Sequence, residues 1–356
     1  MRSLFACLIL LVFIPLNAQT TRKYSNEFMN IGVDAAALGQ SNAVVARSND
    51  VNSGYWNPAG LINLEDNQLA LMHSSYFANI ANYDYAGFAM PLDDNSAFGV
   101  SLIRFAVDDI LDTTQLIDEQ GNVNYDRISL FSTADYGLTV SYSRNLPVQG
   151  LSYGVNAKII RRIIGDFASS WGVGLDAAIQ FETDNNWKFG VMARDITTTY
   201  NAWSINEDEF AKVQNAVEGQ NQELPETTEI TIPKLQIGVA KLYRFHYDYT
   251  LEAEIDLNVR FEQNNDVIST SFASINPAFG FEFGYIDMIY LRGGMGNFQN
   301  ELQIDNSEQL TFQPTFGVGF KYNGIQVDYA FTDIGDQSVA LYSNVFSLKL
   351  DFSIFR

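Results

Sequence analysis

Val345-Phe346-Ser347-Leu348-Lys349-Leu350-Asp351-Phe352-Ser353-Ile354-Phe355 alternates without a break. Phe346, Leu348, Leu350, Phe352 and Ile354 share one parity, and Ser347, Lys349, Asp351 and Ser353 share the other. Successive side chains of a pleated strand point to opposite faces, so this period of two describes a β-strand with one oily and one wet face. An aromatic one place before the end of the sequence completes the layout of an outer-membrane barrel strand. On that reading Phe352, Ile354 and Phe355 form its insertion signal.

The N-terminus agrees. Met1 and Arg2 precede an apolar run from Leu4 to Leu16, and Asn17 and Ala18 lead into the polar Gln19-Thr20-Thr21, so residues 1–18 read as a secretory signal peptide. The single cysteine, Cys7, lies inside that run. The mature chain is therefore expected to lack disulfides and thiolate metal sites.

Composition narrows the class. The chain of 356 residues is 18% charged and 13% aromatic, with 26 Phe, 18 Tyr and 25 Gly, a mix that favours aromatic β-structure over helical bundles. No mature segment approaches the roughly 18 apolar residues of a spanning helix. If the chain crosses a membrane it does so as a closed barrel, the all-strand form that satisfies its backbone in lipid. The formal net charge of -21 argues against nucleic acid as a partner, since phosphates select Lys and Arg.

Fourteen segments carry the dyad repeat, from 66–76 to 342–354, so the barrel is predicted to span 66–356. In one, Trp171, Val173, Leu175, Ala177, Ile179 and Phe181 oppose Gly172, Gly174, Asp176 and Gln180, and the two glycines read as thin places on the wall. In another, Tyr249, Leu251, Ala253, Ile255, Leu257 and Val259 oppose Thr250, Glu252, Glu254, Asp256, Asn258 and Arg260. Connections after even strands are short, whereas those near 106–134, 195–232, 261–275 and 296–310 are long. Short periplasmic turns and longer outer loops are the habit of outer-membrane barrels, and they require an even strand number.

Energetics select the lumen face. A Lys or Arg on the lipid face near mid-bilayer costs roughly 2–4 kcal/mol and a carboxylate less, so Glu252, Glu254 and Asp256 are predicted to point inward. Their mutual repulsion calls for cations on neighbouring lumen faces, with Lys158, Lys321 and Lys349 as candidates. The reading is a solvated, ion-paired interior; a dedicated substrate or ion site is the sharper alternative. Loop 195–232 carries Glu207, Asp208, Glu209, Glu218, Glu223, Glu226 and Glu229 against Lys212. A short helix over 206–218 would place Phe210, Val213 and Val217 on one face. The loop is either a solvated cover or a site of cation or partner contact.

Residues 19–65 lack a clean repeat. Within them Asn30 to Gln40 is rich in small residues, which suits backbone packed closely inside a barrel. Asn49-Asp50 and Trp56-Asn57-Pro58-Ala59-Gly60-Leu61 follow; alone, Asn57, Pro58, Ala59 and Gly60 describe a turn. Together with Leu291-Arg292-Gly293-Gly294, Gly317-Val318-Gly319-Phe320, Val327-Asp328-Tyr329-Ala330-Phe331 and Gly335-Asp336, these segments resemble the PorV/PorQ family of outer-membrane proteins, relatives of the FadL-type fatty-acid transporters. The resemblance spans essentially the whole mature chain. It implies a fourteen-stranded barrel in the outer membrane of a Gram-negative bacterium, with an N-terminal hatch carrying the Asn-Pro-Ala motif folded into the lumen.

Catalytic chemistry is absent from the pattern. His73 and His246 stand far apart without metal-ligand spacing, and no Gly-x-Ser-x-Gly elbow or phosphate-binding loop appears, so neither an enzyme nor a cofactor is expected. The resemblance implies an accessory or partner subunit of a larger outer-membrane protein complex, of the type IX secretion or surface-assembly kind. The alternative is FadL-like passive transport of hydrophobic small molecules, with a hydrophobic ligand or lipid in the lumen. That alternative needs a greasy pocket beneath the hatch and a sideways exit through the wall.

Overall fold

The computed structural model describes residues 25–76, 80–117, 121–210, 227–303, 307–333 and 342–352. Residues 1–18, expected to be a signal peptide, Ile354, Phe355, residues 211–226 of the acidic loop with most of the expected 206–218 helix, and Gly335-Asp336 lie outside the described residues.

Seventeen strands form one antiparallel sheet: β1 (Gln68–Tyr76), β2 (Ala81–Asp93), β3 (Ser96–Asp112), β4 (Ser129–Asn145), β5 (Leu151–Ile164), β6 (Ala168–Glu182), β7 (Trp187–Arg194), β8 (Thr199–Ile205), β9 (Thr228–Thr231), β10 (Lys234–Phe245), β11 (Tyr249–Arg260), β12 (Ile268–Ser269), β13 (Ser274–Tyr285), β14 (Ile289–Leu302), β15 (Glu308–Tyr322), β16 (Ile325–Asp333) and β17 (Tyr342–Asp351). They occupy fourteen wall positions. β7 and β8 follow one another along β6, β9 and β10 do the same along β8 and β7, and the two-residue β12 only edges β13 at the rim. β1 pairs on one side with β2 (Leu71↔Ala86) and on the other with β17 (Leu71↔Leu348). The sheet therefore closes on itself through its fourteen wall positions, the condition for strands to cross lipid, while β9 and β12 pair on one side only.

Outside, Leu71, Phe88, Leu102, Val140, Ile159, Val173, Leu175, Ile255, Phe279 and Phe316 are exposed on one parity and make an apolar belt. At its short-turn end aromatic rings stack across strands, Phe181 on Phe189 and Tyr249 on Tyr285 with centroids 6.3 and 5.0 Å apart. Lys241 lies 5.1 Å over the Trp187 ring, its stem along the wall and its head at the rim. This is the aromatic girdle of a membrane-spanning barrel. Among the described residues no helix is long and apolar enough to cross a membrane.

Two departures from the sequence expectation stand out. The outer connections are shorter than the dyad pattern implied, because β3, β4, β14 and β15 run on beyond it and Ile164 turns directly into Ala168 through Gly165. Above the membrane both faces of a hairpin meet water, so the repeat fades while backbone pairing continues. The seventh wall position is also broken: Ala177 faces Ala193 but Val173 faces Tyr200, so Asp195–Thr198 bulge from the strand. Gly172 and Gly174 are consequently not thin places. A Cβ there would meet Asn201 Oδ1 and Thr199 Oγ1, side chains of β8 that already fill the space.

Candidate functional site: hatch and lumen

Residues 25–64 pack on the inner face of the barrel as a chain of short turns, with 3₁₀ or α segments at Glu27–Asn30, Ala35–Leu38, Ser53–Trp56 and Pro58–Asn63. The wall makes room for them with glycine. A Cβ on Gly190 would stand 2.3 Å from Val45 O, and one on Gly294 2.3 Å from Gln40 C. The hatch from Gly39 to Ala46, the end of the small-residue block and the segment after it, thus meets a glycine-lined wall, backbone against backbone.

The Asn-Pro-Ala-Gly turn is a junction rather than a loop. Asn57 is fully buried; its amide donates to Val45 O (2.9 Å) and Ile179 O (3.3 Å), and its carbonyl accepts from Ala59 N (3.1 Å). Pro58 opens the following 3₁₀ turn, where a missing N–H costs nothing. Ala59 O accepts from Ser143 and Ser152 (2.9 and 3.1 Å), and a Cβ on Gly60 would fall 2.0 Å from Ser48 O. One four-residue turn therefore ties hatch segment 45–48 to β4, β5 and β6.

The carboxylates of β11 hold the hatch backbone. Asp256 Oδ2 accepts from Val44 N and Val45 N (3.1 and 3.2 Å), and Glu254 Oε1 accepts from Ala46 N (2.6 Å). Their cations differ from those the sequence suggested. Arg47, from the hatch itself, lies 3.6 Å from Glu252 and 3.5 Å from Glu254, and Lys188 lies 2.9 Å from Glu252. Lys158 instead bridges Asp176 and Asp195 (2.7 and 2.5 Å), and Lys349 reaches Asp50 of the hatch at 2.5 Å. Arg292 joins Glu282 and Asp328 at 2.5 and 2.6 Å. Glu229, grouped by sequence with the acidic loop, sits buried in β9 and takes Arg162 at 3.3 Å. Parity identified the lumen carboxylates, but Arg47 lies in a segment with no repeat to flag it.

Asp34 marks the end of this polar side. Its carboxylate accepts from Ser347 Oγ at 2.8 Å and from Ala36 N at 3.2 Å. Burial, and after it the fields of Asp328 and Asp50, pushes the Asp34 carboxyl up to about 6. A carboxyl in that position is poised to change charge near neutral pH.

The opposite side is apolar. Phe28, Met29, Val33, Tyr55 and Trp56 pack in one cluster with wall residues Tyr76, Tyr83, Tyr85, Ile103 and Ile160. Tyr55 and Trp56 meet edge to face at 4.8 Å, and each anchors inside the hatch, to Met29 O (2.8 Å) and Val33 O (3.1 Å). Tyr83 Oη is buried and has no hydrogen-bond partner among the described residues. Of the two histidines, His73 faces outward and bonds Asp84 at 2.7 Å, and His246 is exposed in a short turn. Among the described residues no group of His, Cys, Asp and Glu could hold a metal ion.

Below the hatch, toward the short turns, lies a cavity of about 610 Å³ whose lining includes Arg47, Asp50, Glu252, Glu282, Arg292 and Lys349. It is ionic, not the greasy pocket that hydrophobic transport was expected to need there. A like-sized volume of water and charge has no affinity for an apolar solute, so any apolar path has to lie on the aromatic side.

No protein-family model matches the chain, and no curated protein sequence matches it. Solved structures do. The Pseudomonas putida toluene transporter TodX superposes with a TM-score of 0.56 at 13% identity, over 93% of this chain and 98% of that one. The Ralstonia pickettii toluene transporter TbuX gives 0.52 at 10% identity, over 90% and 98%. A Pseudomonas aeruginosa FadL homologue gives 0.50 at 12% identity, over 90% and 98%. At such identities the likeness speaks for the fold: the chain is a closed, fourteen-position antiparallel barrel with an internal hatch, built like the FadL-type barrels of the Gram-negative outer membrane.

Proposed function

We propose that the barrel is a passive outer-membrane transporter of small hydrophobic molecules, which leave the lumen sideways through the β17–β1–β2–β3 wall. The carrying observation is that two apolar compartments face each other across this part of the wall. Inside is the aromatic cluster of Tyr76, Tyr83 and Tyr85 with Phe28 and Met29. Outside is a groove of about 640 Å³ lined by Leu71, Ala86, Leu102, Phe346 and Leu348, to which Met72 and Tyr85 also contribute although their parity is that of the lumen. Apolar surface on both sides favours passage of a small apolar solute, with the charged residues His73, Asp84 and Arg104 confined to one margin of the groove. The full-length likeness to two toluene transporters supports this class of cargo. In proteoliposomes, toluene should equilibrate faster than through protein-free vesicles, and Ala86→Trp, which fills the groove, should slow it severalfold. A rate equal to that of empty vesicles in the unmodified protein would refute the reading.

A second reading rests on a different observation. On the outward parity of the same wall His73, Asp84, Arg104 and Asp108 form a chain of contacts at 2.7, 3.4 and 3.8 Å, with side chains 34 to 59% exposed. An Arg facing lipid is costly, and a partner protein would relieve that cost. This favours an accessory subunit of a larger outer-membrane complex, as the PorV/PorQ resemblance implies. Extraction in mild detergent should then retain a partner that Asp84→Ala with Arg104→Ala releases. A clean monomer under several mild conditions speaks for transport alone.

A further inference from the structure

Three cations stand side by side on the lumen wall above the hatch. Arg194 of β7 is directly opposite Lys234 of β10, and Lys234 is directly opposite Arg260 of β11. Facing residues on adjacent strands hold their Cβ atoms about 5 Å apart, and like charges in that position destabilise the sheet. Arg194 is partly engaged, donating to Gln236 Oε1 (2.6 Å) and Tyr55 O (2.9 Å). Among the described residues neither Lys234 nor Arg260 has a carboxylate within ion-pairing distance. Of the carboxylates near Lys234, Glu27 bonds Asn30 and Asp195 is held by Lys158.

The row opens on a cavity of about 270 Å³ on the long-loop side of the hatch. Among the described residues no Asp or Glu lines it, in a chain with 42 acidic and 21 basic residues. Elsewhere in this lumen the buried cations Arg47, Lys158 and Arg292 are matched to carboxylates, so an unmatched row is a departure from the protein's own rule. Amides and hydroxyls, among them Asn276, Gln313 and Thr315, supply further donors around it.

We propose that this cavity is a binding site for a small hydrophilic oxyanion carrying two negative charges, such as a phosphate group, bound by Lys234 and Arg260 with Arg194 behind them. The planar guanidinium of Arg260 offers a paired contact and the Lys234 ammonium a point charge, the usual division of labour at phosphate. Ile31, Leu38, Tyr55 and Trp56 also line the cavity, the last two shared with the aromatic cluster, so the assignment to a hydrophilic dianion rests on the cation row and its unmatched charge, and it does not depend on the transport reading.

Inorganic phosphate is the probe. With purified barrel in detergent at constant ionic strength, phosphate should raise the thermal unfolding midpoint relative to chloride, and titration calorimetry should show saturable binding that weakens as salt rises. Lys234→Met and Arg260→Met should each lose about tenfold or more in phosphate affinity, the loss expected of one charge-assisted hydrogen bond. Without phosphate both variants should unfold at the same temperature as the unmodified protein or higher, since each removes a repulsion, and that also establishes that they fold. No phosphate effect in the unmodified protein, or an undiminished one in the variants, overturns the proposal. Octanoate binding more tightly than phosphate overturns the assignment to a hydrophilic dianion.

Discussion

The hatch is held on its two sides by opposite chemistry. Toward β11 and β17 its backbone and side chains meet charge: Glu254, Asp256 and Lys349 bond Ala46, Val44, Val45 and Asp50 through directional contacts of 2.5 to 3.2 Å. Toward β1–β3 it meets aromatic rings and a phenol, that of Tyr83, with no hydrogen-bond partner among the described residues. Directional contacts fix a position, because a shift of an ångström leaves buried charge unpaired. Apolar contacts fix little beyond proximity, since their energy follows area and not angle. The polar side is therefore the anchor and the aromatic side the part that can yield to a solute.

The largest expected effect tests the anchor. Arg47→Ala leaves Glu252 and Glu254 with Lys188 as their remaining cation, and breaking a buried pair in this way typically costs about 3–5 kcal/mol. The urea midpoint of hatch release, followed by proteolysis within residues 25–65, should fall accordingly. A cost no greater than that of a change on the aromatic side would erase the contrast between the two sides.

An intermediate effect comes from Asp34, at the margin of the anchor. Its carboxyl is raised from 3.8 to about 6 in the docked state, so docking favours the protonated form. Hatch retention should be strongest below about pH 4 and weaken as pH rises through 6, with a full span of about 3 kcal/mol at roughly 1.4 kcal/mol per pKa unit. Protease sensitivity of the hatch at pH 5 and pH 7.5 samples just under half of that span, about 1.4 kcal/mol. Asp34→Asn should flatten the profile; an unchanged slope would assign the titration to another group.

The smallest effect belongs to the aromatic side. Tyr83→Phe removes a buried hydroxyl without a partner and should leave stability unchanged or raise it by about 1 kcal/mol. A clear loss in the thermal midpoint would mean that the phenol is anchored after all, and the two sides would then be more alike than the geometry indicates.

Much of this architecture was legible in the residue pattern. Strands such as β6 and β11 show their faces through strict alternation, and the inward turn of Glu254 and Asp256 follows from the cost of charge in lipid. The hatch was visible as a stretch of small residues, though not what grips it. Arg47 has no repeat around it, and Glu229 looked like one more loop acid until the pairing of β9 with β8 carried it to Arg162. The bulge at Asp195–Thr198 was equally silent, because Thr, Asp and Ile at those places fit a loop or a strand alike.

By itself the sequence determined the class of wall, its fourteen positions and which face of each strand is wet, because a period of two is a local property that lipid and water enforce residue by residue. Tertiary structure decided the partners: which cation answers Glu254, what fills the space beside Gly172, and that Arg194, Lys234 and Arg260 stand in one row. Those depend on the register between strands dozens of residues apart and on where the hatch settles, and no stretch of sequence carries that information alone.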